Sequence, residues 1–337
     1  MTSVVTDSVT IAREATREAL HASIERLDPR MRHVCGYHLG LWDADGVPTG
    51  LSGKGVRPEL VLISTAATNR DPLSAVPAAV AVELVHNFSL VHDDVMDGDE
   101  SRRHRPTVWA AFGLSTALLA GDALLALAGE VLAEAPSPTV GYAVQALSAT
   151  TRRLIAGQAA DLAFETRPDV ALEECLRMEA DKTGALLACA CSIGPMLADA
   201  PACSAAALAE FGERVGIAFQ LDDDLLGIWG ATERTGKPVL SDLRSRKKSA
   251  PIVAALTSGT AAGAALRALY RQEAPLDEDE LARAAELVEE AGGRTWAERR
   301  AAAELDAALR LLAEAFPDPH RAAPLAAMAT RLAGRDH

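Results

Sequence analysis

The stretch Glu83–Thr107, ELVHNFSLVHDDVMDGDESRRHRPT, closes an apolar run with adjacent aspartates at 93 and 94 and a third at 97. On a helix Asp93 and Asp97 lie one turn apart on one face, with Asp94 beside them. Aspartate is a poor helix former and like charges at this spacing repel, so a bound cation would offset the cost. Three carboxylates offer hard oxygen ligands and no soft ones. That suits Mg²⁺, which takes one or two carboxylates together with waters and phosphate oxygens. Leu84, Val85, Phe88, Leu90 and Val91 are apolar nearly all round, the mark of a buried helix rather than a solvated end.

The pattern recurs. In AFQLDDDLLGIWG, Ala218, Phe219, Leu221, Leu225 and Leu226 surround Asp222, Asp223 and Asp224. Two carboxylate clusters on two buried helices imply cations, and cations held this way imply a phosphate ligand. The basic residues agree. Arg102 and Arg103 follow the first cluster, Lys237 and Lys247 follow the second, and GKGVRP supplies Lys54 and Arg57 after a glycine-rich loop. Arginine forks and lysine point charges are the usual phosphate partners. Together they describe a diphosphate site.

The elements that must hold these residues are helical. Leu281, Ala284, Ala285 and Val288 recur at helical spacing, as do Leu305, Leu309 and Leu312. β-branched alternation is nearly absent, which leaves strands little support. Turn residues fall at 46–55, 135–138, 167–169, 198–201, 230–248 and 316–319. The intervals predict helices of about 15–30 residues, longer than the average of about 11, in a bundle with inward-facing sites. No linker rich in Gly, Ser and Pro divides the chain, so one domain over residues 1–337 is expected.

Composition narrows the function. A net charge of −14 and a pI near 5.1 exclude the basic footprint of a general nucleic-acid binder. The five cysteines are odd in number and lack CxxC spacing, which implies reduced thiols rather than a disulfide frame or zinc site. The N-terminus has no basic-then-apolar signal pattern, and the apolar stretch 115–133 is broken by Asp122 and Glu130. A soluble, cytoplasmic protein without a membrane span is expected.

HDDVMDGDESRRHRPT resembles the first aspartate-rich motif of the trans-isoprenyl diphosphate synthases (polyprenyl synthetases), DDxxD followed by RRxxPT. GKGVRP, GQAADL, KTGALLA, FQLDDDLLG and GKPVLSDLRSRKKS match the remaining motifs in order, within residues 50–255. The resemblance implies an all-α isoprenoid synthase fold, a single large helical bundle around a central active-site cavity. It also implies a homodimer and a Mg²⁺-dependent head-to-tail condensation of an allylic diphosphate with isopentenyl diphosphate. It assigns Asp93, Asp97 and Asp223 as Mg²⁺ ligands, supported by Asp94 and Asp224. Arg102, Lys182 and Lys237 would hold the allylic diphosphate, with Lys247 nearby. Lys54, Arg57, His86 and Arg103 would hold isopentenyl diphosphate. Thr183 and Gln220 would flank the nascent cation, backed by Gln158 and Asp161.

Four positions depart from the family pattern. Gly227 stands where a third aspartate is frequent, His104 and Leu240 replace glycines, and Gly55 replaces a basic residue. With Asp223 at the metal-contacting position, an aspartate at 227 is expected to be tolerated with modest effect. A terpene cyclase of the same fold would need no second diphosphate site, and a non-catalytic partner subunit would be expected to lose its first DDxxD. A di-iron bundle is a third rival, since Glu18-x-x-His21 and Glu83-x-x-His86 each spell an ExxH pair. Product length is read from residues preceding Asp93. Bulky Phe88 would floor the pocket beside small Ser89, a pattern that in the family resembles geranylgeranyl diphosphate synthases. The expected product is C20, with C15 second.

Overall fold

The computed structural model describes residues 2–49, 55–230 and 239–334. Its helices are α1 (Thr2–Ile24), α2 (Pro29–Leu39), α3 (Val56–Ala67), α4 (Val76–Met96), α5 (Val108–Phe112), α6 (Leu114–Ala133), α7 (Val140–Thr166), α8 (Leu172–Glu179), α9 (Ala185–Leu197) and α10 (Ala202–Trp229). Then come α11 (Ser241–Arg244), α12 (Ala250–Leu256), α13 (Ala261–Tyr270), α14 (Glu278–Glu290), α15 (Gly293–Ala315) and α16 (Pro319–Ala333). Strand among the described residues is confined to the antiparallel hairpin β1 (Ser101–Arg102) and β2 (Arg105–Pro106). The all-α expectation holds. Expected lengths hold for α4, α6, α7 and α10, whereas α11–α13 are short because turn residues cut residues 241–270 every few positions.

The chain resolves into two compact units. One comprises Met1–Thr151, Leu186–Glu210 and Ala313–Leu325; the other comprises Arg152–Ala185, Phe211–Leu312 and Ala326–His337. Their boundaries fall inside helices.

In the first unit α4 packs most extensively on α6, and further on α1 and α3. Leu84, Val85 and Val91 of α4 are buried, as its all-round apolar character requires. By length and composition Pro72–Met96 and Leu114–Ala133 could each cross a membrane. The apolar window of Pro72–Met96 is 67% buried within the protein, whereas that of α6 is only 50% buried. The side chains α6 leaves outside include Leu114, Leu118 and Leu119.

In the second unit Leu221 and Leu225 of α10 join a core with Phe164, Met178 and Val253. Ile228, one turn on, enters another with Leu243, Leu266 and Leu281. The periodic residues Leu281, Ala284 and Val288 of α14 are buried there. In α15 the buried stripe is Ala297, Ala301, Glu304, Ala308 and Leu312, displacing the expected Leu305 and Leu309 to half-buried positions. Glu304 is tolerated inside because Arg214 and Arg300 pair with it.

Candidate active site

The first acidic cluster occupies the end of α4. Asp93 and Asp94 lie in its last turn and Asp97 is its C-cap, the Asp97 amide donating to the Asp93 carbonyl at 2.8 Å. The negative end of a helix macrodipole is an unfavourable place for carboxylates unless a cation joins them. Exposure separates their roles. Asp93 is half-buried and Asp97 exposed, while Asp94 is 1% exposed. Arg102 holds Asp94 from the hairpin, Nε donating to Oδ1 at 2.8 Å and Nη2 lying 2.6 Å from the same oxygen. Burial raises the Asp94 pKa, and the Arg102 hydrogen bond opposes it. Asp94 Oδ2 is buried with no hydrogen-bond partner.

The hairpin that carries Arg102 and Arg103 is fastened to the helix end. The Asp99 carbonyl accepts from Thr107 Oγ1 and Trp109 Nε1, both at 2.9 Å. Its two-residue turn is Arg103–His104, with φ of 52° and 60°. Positive φ at both central residues is what the strand twist demands of so short a turn, and glycine meets it without strain. That is the place of His104 in the motif. Arg105 lies 4.2 Å from the centre of the Tyr37 ring and donates to the Trp42 carbonyl, so it braces the hairpin.

Arg57 Nη1 donates to His86 Nε2 at 3.0 Å, which places the His86 proton on Nδ1. Burial, then Arg57 and Arg103, push the His86 pKa well down, so the ring stays neutral. Arg57, His86 and Arg103 are therefore neighbours, and the Arg102 charge reaches His86 as well. Glu83 is engaged by Asn87 at 3.2 Å, and Glu18 and His21 are exposed, so neither ExxH pair behaves as an iron ligand set. His38 is a neighbour that its sequence does not advertise. It lines a cavity of about 140 Å³ with Asp94, Arg102, Arg103 and Arg105, and its pKa falls to about 3 through burial and then Arg102 and Arg103. Gly55 has φ of 56°, a conformation that would strain a basic residue there. Lys54 and Lys237 lie outside the described residues.

The second cluster lies within two turns of the end of α10. Asp222 and Asp224 are each 3% exposed, whereas Asp223 is half-buried and the most accessible of the three. Asp224 is fully engaged, accepting from Gln220 Nε2 at 2.8 Å and from the Ala250 amide at 3.0 Å. Gln220 Oε1 in turn accepts from Thr183 Oγ1 at 2.7 Å. Thr183 and Lys182 sit in a π-helical turn, Ala180–Gly184, between α8 and α9. This widened turn re-aims side chains. Two sequence motifs meet here. A Cβ at Gly157 would lie 2.4 Å from the Lys182 amide nitrogen, so only glycine lets α7 approach the turn. One helical turn on, Asp161 Oδ2 accepts from Lys182 Nζ at 2.5 Å.

One acid behind this cluster carries little sequence signal. Glu179 is 1% exposed, its pKa raised by burial and then by Asp224. Lys247 faces Asp242, Asp224, Asp161 and Glu179. Burial opposes its charge, but these carboxylates, Asp242 foremost, outweigh that and raise its pKa. A Cβ at Gly227 would lie 2.6 Å from Asp242 Cγ, so a side chain there requires the Asp242 carboxylate to swing aside.

Among the described residues no three His, Cys, Asp or Glu side chains converge into a cage able to hold a metal by themselves. The carboxylates of the half-buried Asp93 and Asp223 and the exposed Asp97 are hard oxygen donors of the kind Mg²⁺ takes beside phosphate oxygens and water. Phe88 is 6% exposed and packs edge-on against His92, with ring centres 5.0 Å apart. Ser89 is 7% exposed and its hydroxyl donates to the His86 carbonyl.

Residues 48–288 match the polyprenyl synthetase family model. The chain is 54% identical over 295 residues to a (2E,6E)-farnesyl diphosphate synthase of Mycobacterium tuberculosis, covering 86% of this chain and 82% of that one. It is 44% identical over 310 residues to a geranylgeranyl diphosphate synthase of the same organism, covering 91% and 89%. A polyprenyl synthetase structure from Streptomyces coelicolor superposes with a TM-score of 0.90 at 47% identity, over 97% of this chain and 99% of that one. The chain thus belongs to the polyprenyl synthetase family.

Proposed function

We propose that this prenyltransferase joins an allylic diphosphate head to tail with isopentenyl diphosphate in the cytoplasm, using Mg²⁺. The observation that carries this reading is Arg57 engaging a neutral His86 at 3.0 Å with the Arg103 charge near it, in addition to the Arg102 that holds Asp94. A cyclase that folds one substrate on itself has no use for a second set of diphosphate donors.

Asp93, Asp97 and Asp223 would hold Mg²⁺, whose charge favours departure of the allylic diphosphate. Arg102, Lys182 and Lys237 would bind that diphosphate, together with Lys247. Lys54, Arg57, His86 and Arg103 bind isopentenyl diphosphate. Charge moves onto the leaving group as its C–O bond breaks, so these pre-placed cations stabilise the transition state more than the ground state. The Thr183 hydroxyl donates a hydrogen bond to Gln220 Oε1, which leaves its oxygen lone pairs available to the allylic cation. Gln220 is held for this by Asp224, and Asp224 by the Ala250 amide. The departed diphosphate then takes the proton that the condensed product loses.

The product is C20. Phe88, pinned by His92, floors the chain pocket, and Ser89 beside it leaves room. C15 is the second reading, favoured by the higher identity to the farnesyl-named relative. Two copies associate through the exposed Leu114, Leu118 and Leu119 of α6. Incubation with isopentenyl diphosphate and each allylic diphosphate, with products sized by mass, tests the proposal. A linear C20 diphosphate is expected. Cyclic hydrocarbon release, or no consumption of isopentenyl diphosphate, would overturn it.

A further inference from the structure

Helix α6 contains two glycines, Gly121 and Gly129, although glycine inside a helix costs about 0.5–1 kcal/mol relative to alanine. A Cβ at Gly129 would meet nothing within 4 Å. At Gly121 it would overlap Nε2 and Cδ2 of the His92 ring and lie 2.9 Å from its Cε1. Gly121 is therefore a notch in α6, and a ring from α4 fills it. His92 Nε2 lies 3.1 Å from the Leu118 carbonyl and 3.9 Å from Asp122 Oδ1. A carbonyl only accepts, so the Nε2 proton points at α6. The same ring meets Phe88, one turn back along α4, with ring centres 5.0 Å apart.

His92 immediately precedes Asp93 in the last turn of α4. That turn gathers Asp93, Asp94 and Asp97 at the negative end of the helix dipole, where repulsion among them favours fraying. Arg102 of the hairpin holds the turn through Asp94. His92 projects about 200° round the helix from Asp94 and holds the turn against α6 instead. Asp93 stands between these two anchors in the sequence. The helix end is thus fixed from two directions, by residues on either side of Asp93.

We propose that His92, seated in the notch at Gly121, is a positioning residue that holds the last turn of α4 on α6 and so sets Asp93 for Mg²⁺. This rests on reading the site as a Mg²⁺–diphosphate site. His92 acts through its neighbour in the chain, not on the ion or the substrate. His92 and Gly121 form one unit: a Cβ at 121 displaces the ring that truncation at 92 removes.

The test uses the full chain with Mg²⁺ and inorganic diphosphate as probes, read first as their shift of the melting temperature. His92→Ala should need about tenfold more Mg²⁺ for half of the ligand-induced shift, the size of loss that supporting partners cause at metal sites. Turnover should show the same displaced Mg²⁺ dependence. Gly121→Ala should reproduce the effect with His92 intact, whereas Gly129→Ala should keep the wild-type dependence. His92→Gln retains an N–H able to reach the Leu118 carbonyl and should recover most of it. The double variant His92→Ala with Gly121→Ala should need no more Mg²⁺ than His92→Ala alone, because alanine at 121 has no ring left to displace. If His92→Ala fails to fold, the comparison of Gly121→Ala with Gly129→Ala decides. Wild-type Mg²⁺ dependence in folded His92→Ala or Gly121→Ala, or losses that add in full, would overturn the inference. A wild-type protein showing neither shift nor turnover would instead overturn the reading of the site.

Discussion

Asp94 and Asp97 are three residues apart in one motif, yet one is sealed against Arg102 and the other is exposed. Asp93→Ala or Asp97→Ala should therefore lower kcat by at least about 10²-fold and leave thermal melting unchanged, since relieving like-charge repulsion costs the fold nothing. A variant with near wild-type turnover would remove the metal assignment. His104 and Leu240 occupy left-handed backbone where the family has glycine. His104→Gly and Leu240→Gly should each raise stability by up to about 1 kcal/mol in denaturant titrations, the relief of strain exceeding the added chain entropy. His38 links stability to pH. Its native pKa of about 3 lies below the unfolded value near 6.5, so the unfolded chain takes up a proton first as pH falls. Between those values this group lowers stability by about 1.4 kcal/mol per pH unit. Denaturation at pH 6 and pH 5 should show a smaller loss for His38→Gln than for the wild type.

At the scale of elements, the π-helical turn between α8 and α9 delivers Lys182 and Thr183, and it exists in contact with α7. Alanine usually improves a helix interior over glycine by about 0.5–1 kcal/mol. At Gly157 the sign should reverse, because the new Cβ would meet Lys182 backbone at 2.4 Å, and backbone cannot swing aside. Gly157→Ala should cost about 1–3 kcal/mol by denaturation and lower kcat with it. An intact, active variant would mean that the turn does not depend on that approach. On α6, Leu118 is 43% and Leu119 58% exposed, more than an isolated helix face of that composition should leave to water. Leu118→Lys with Leu119→Lys should yield monomers in sedimentation while helical content is retained.

For the whole molecule the outcome at stake is product length. Phe88→Ala should open the pocket floor and lengthen the product by one or more isoprene units, each comparable to one helical turn of about 5.4 Å. A folded, active variant that makes the wild-type length would show that Phe88 is a core residue held by His92 and nothing more.

The sequence by itself determined the helical class, the two acidic clusters and the basic residues around them. Those depend on local spacing: apolar residues at helical period bury a helix, and aspartates one turn apart share a face. It also determined where glycine was missing, though not that His104 and Leu240 would take its backbone conformation anyway. Tertiary structure alone decided the partners. Arg102 seals Asp94, His38 joins the arginines of the hairpin, Asp161 holds Lys182, and Asp242 reaches Gly227 from a different helix. Each pairing joins residues separated by 8 to 67 positions, a range over which no local periodicity acts. Packing brings them together, and burial then makes each polar pairing obligatory.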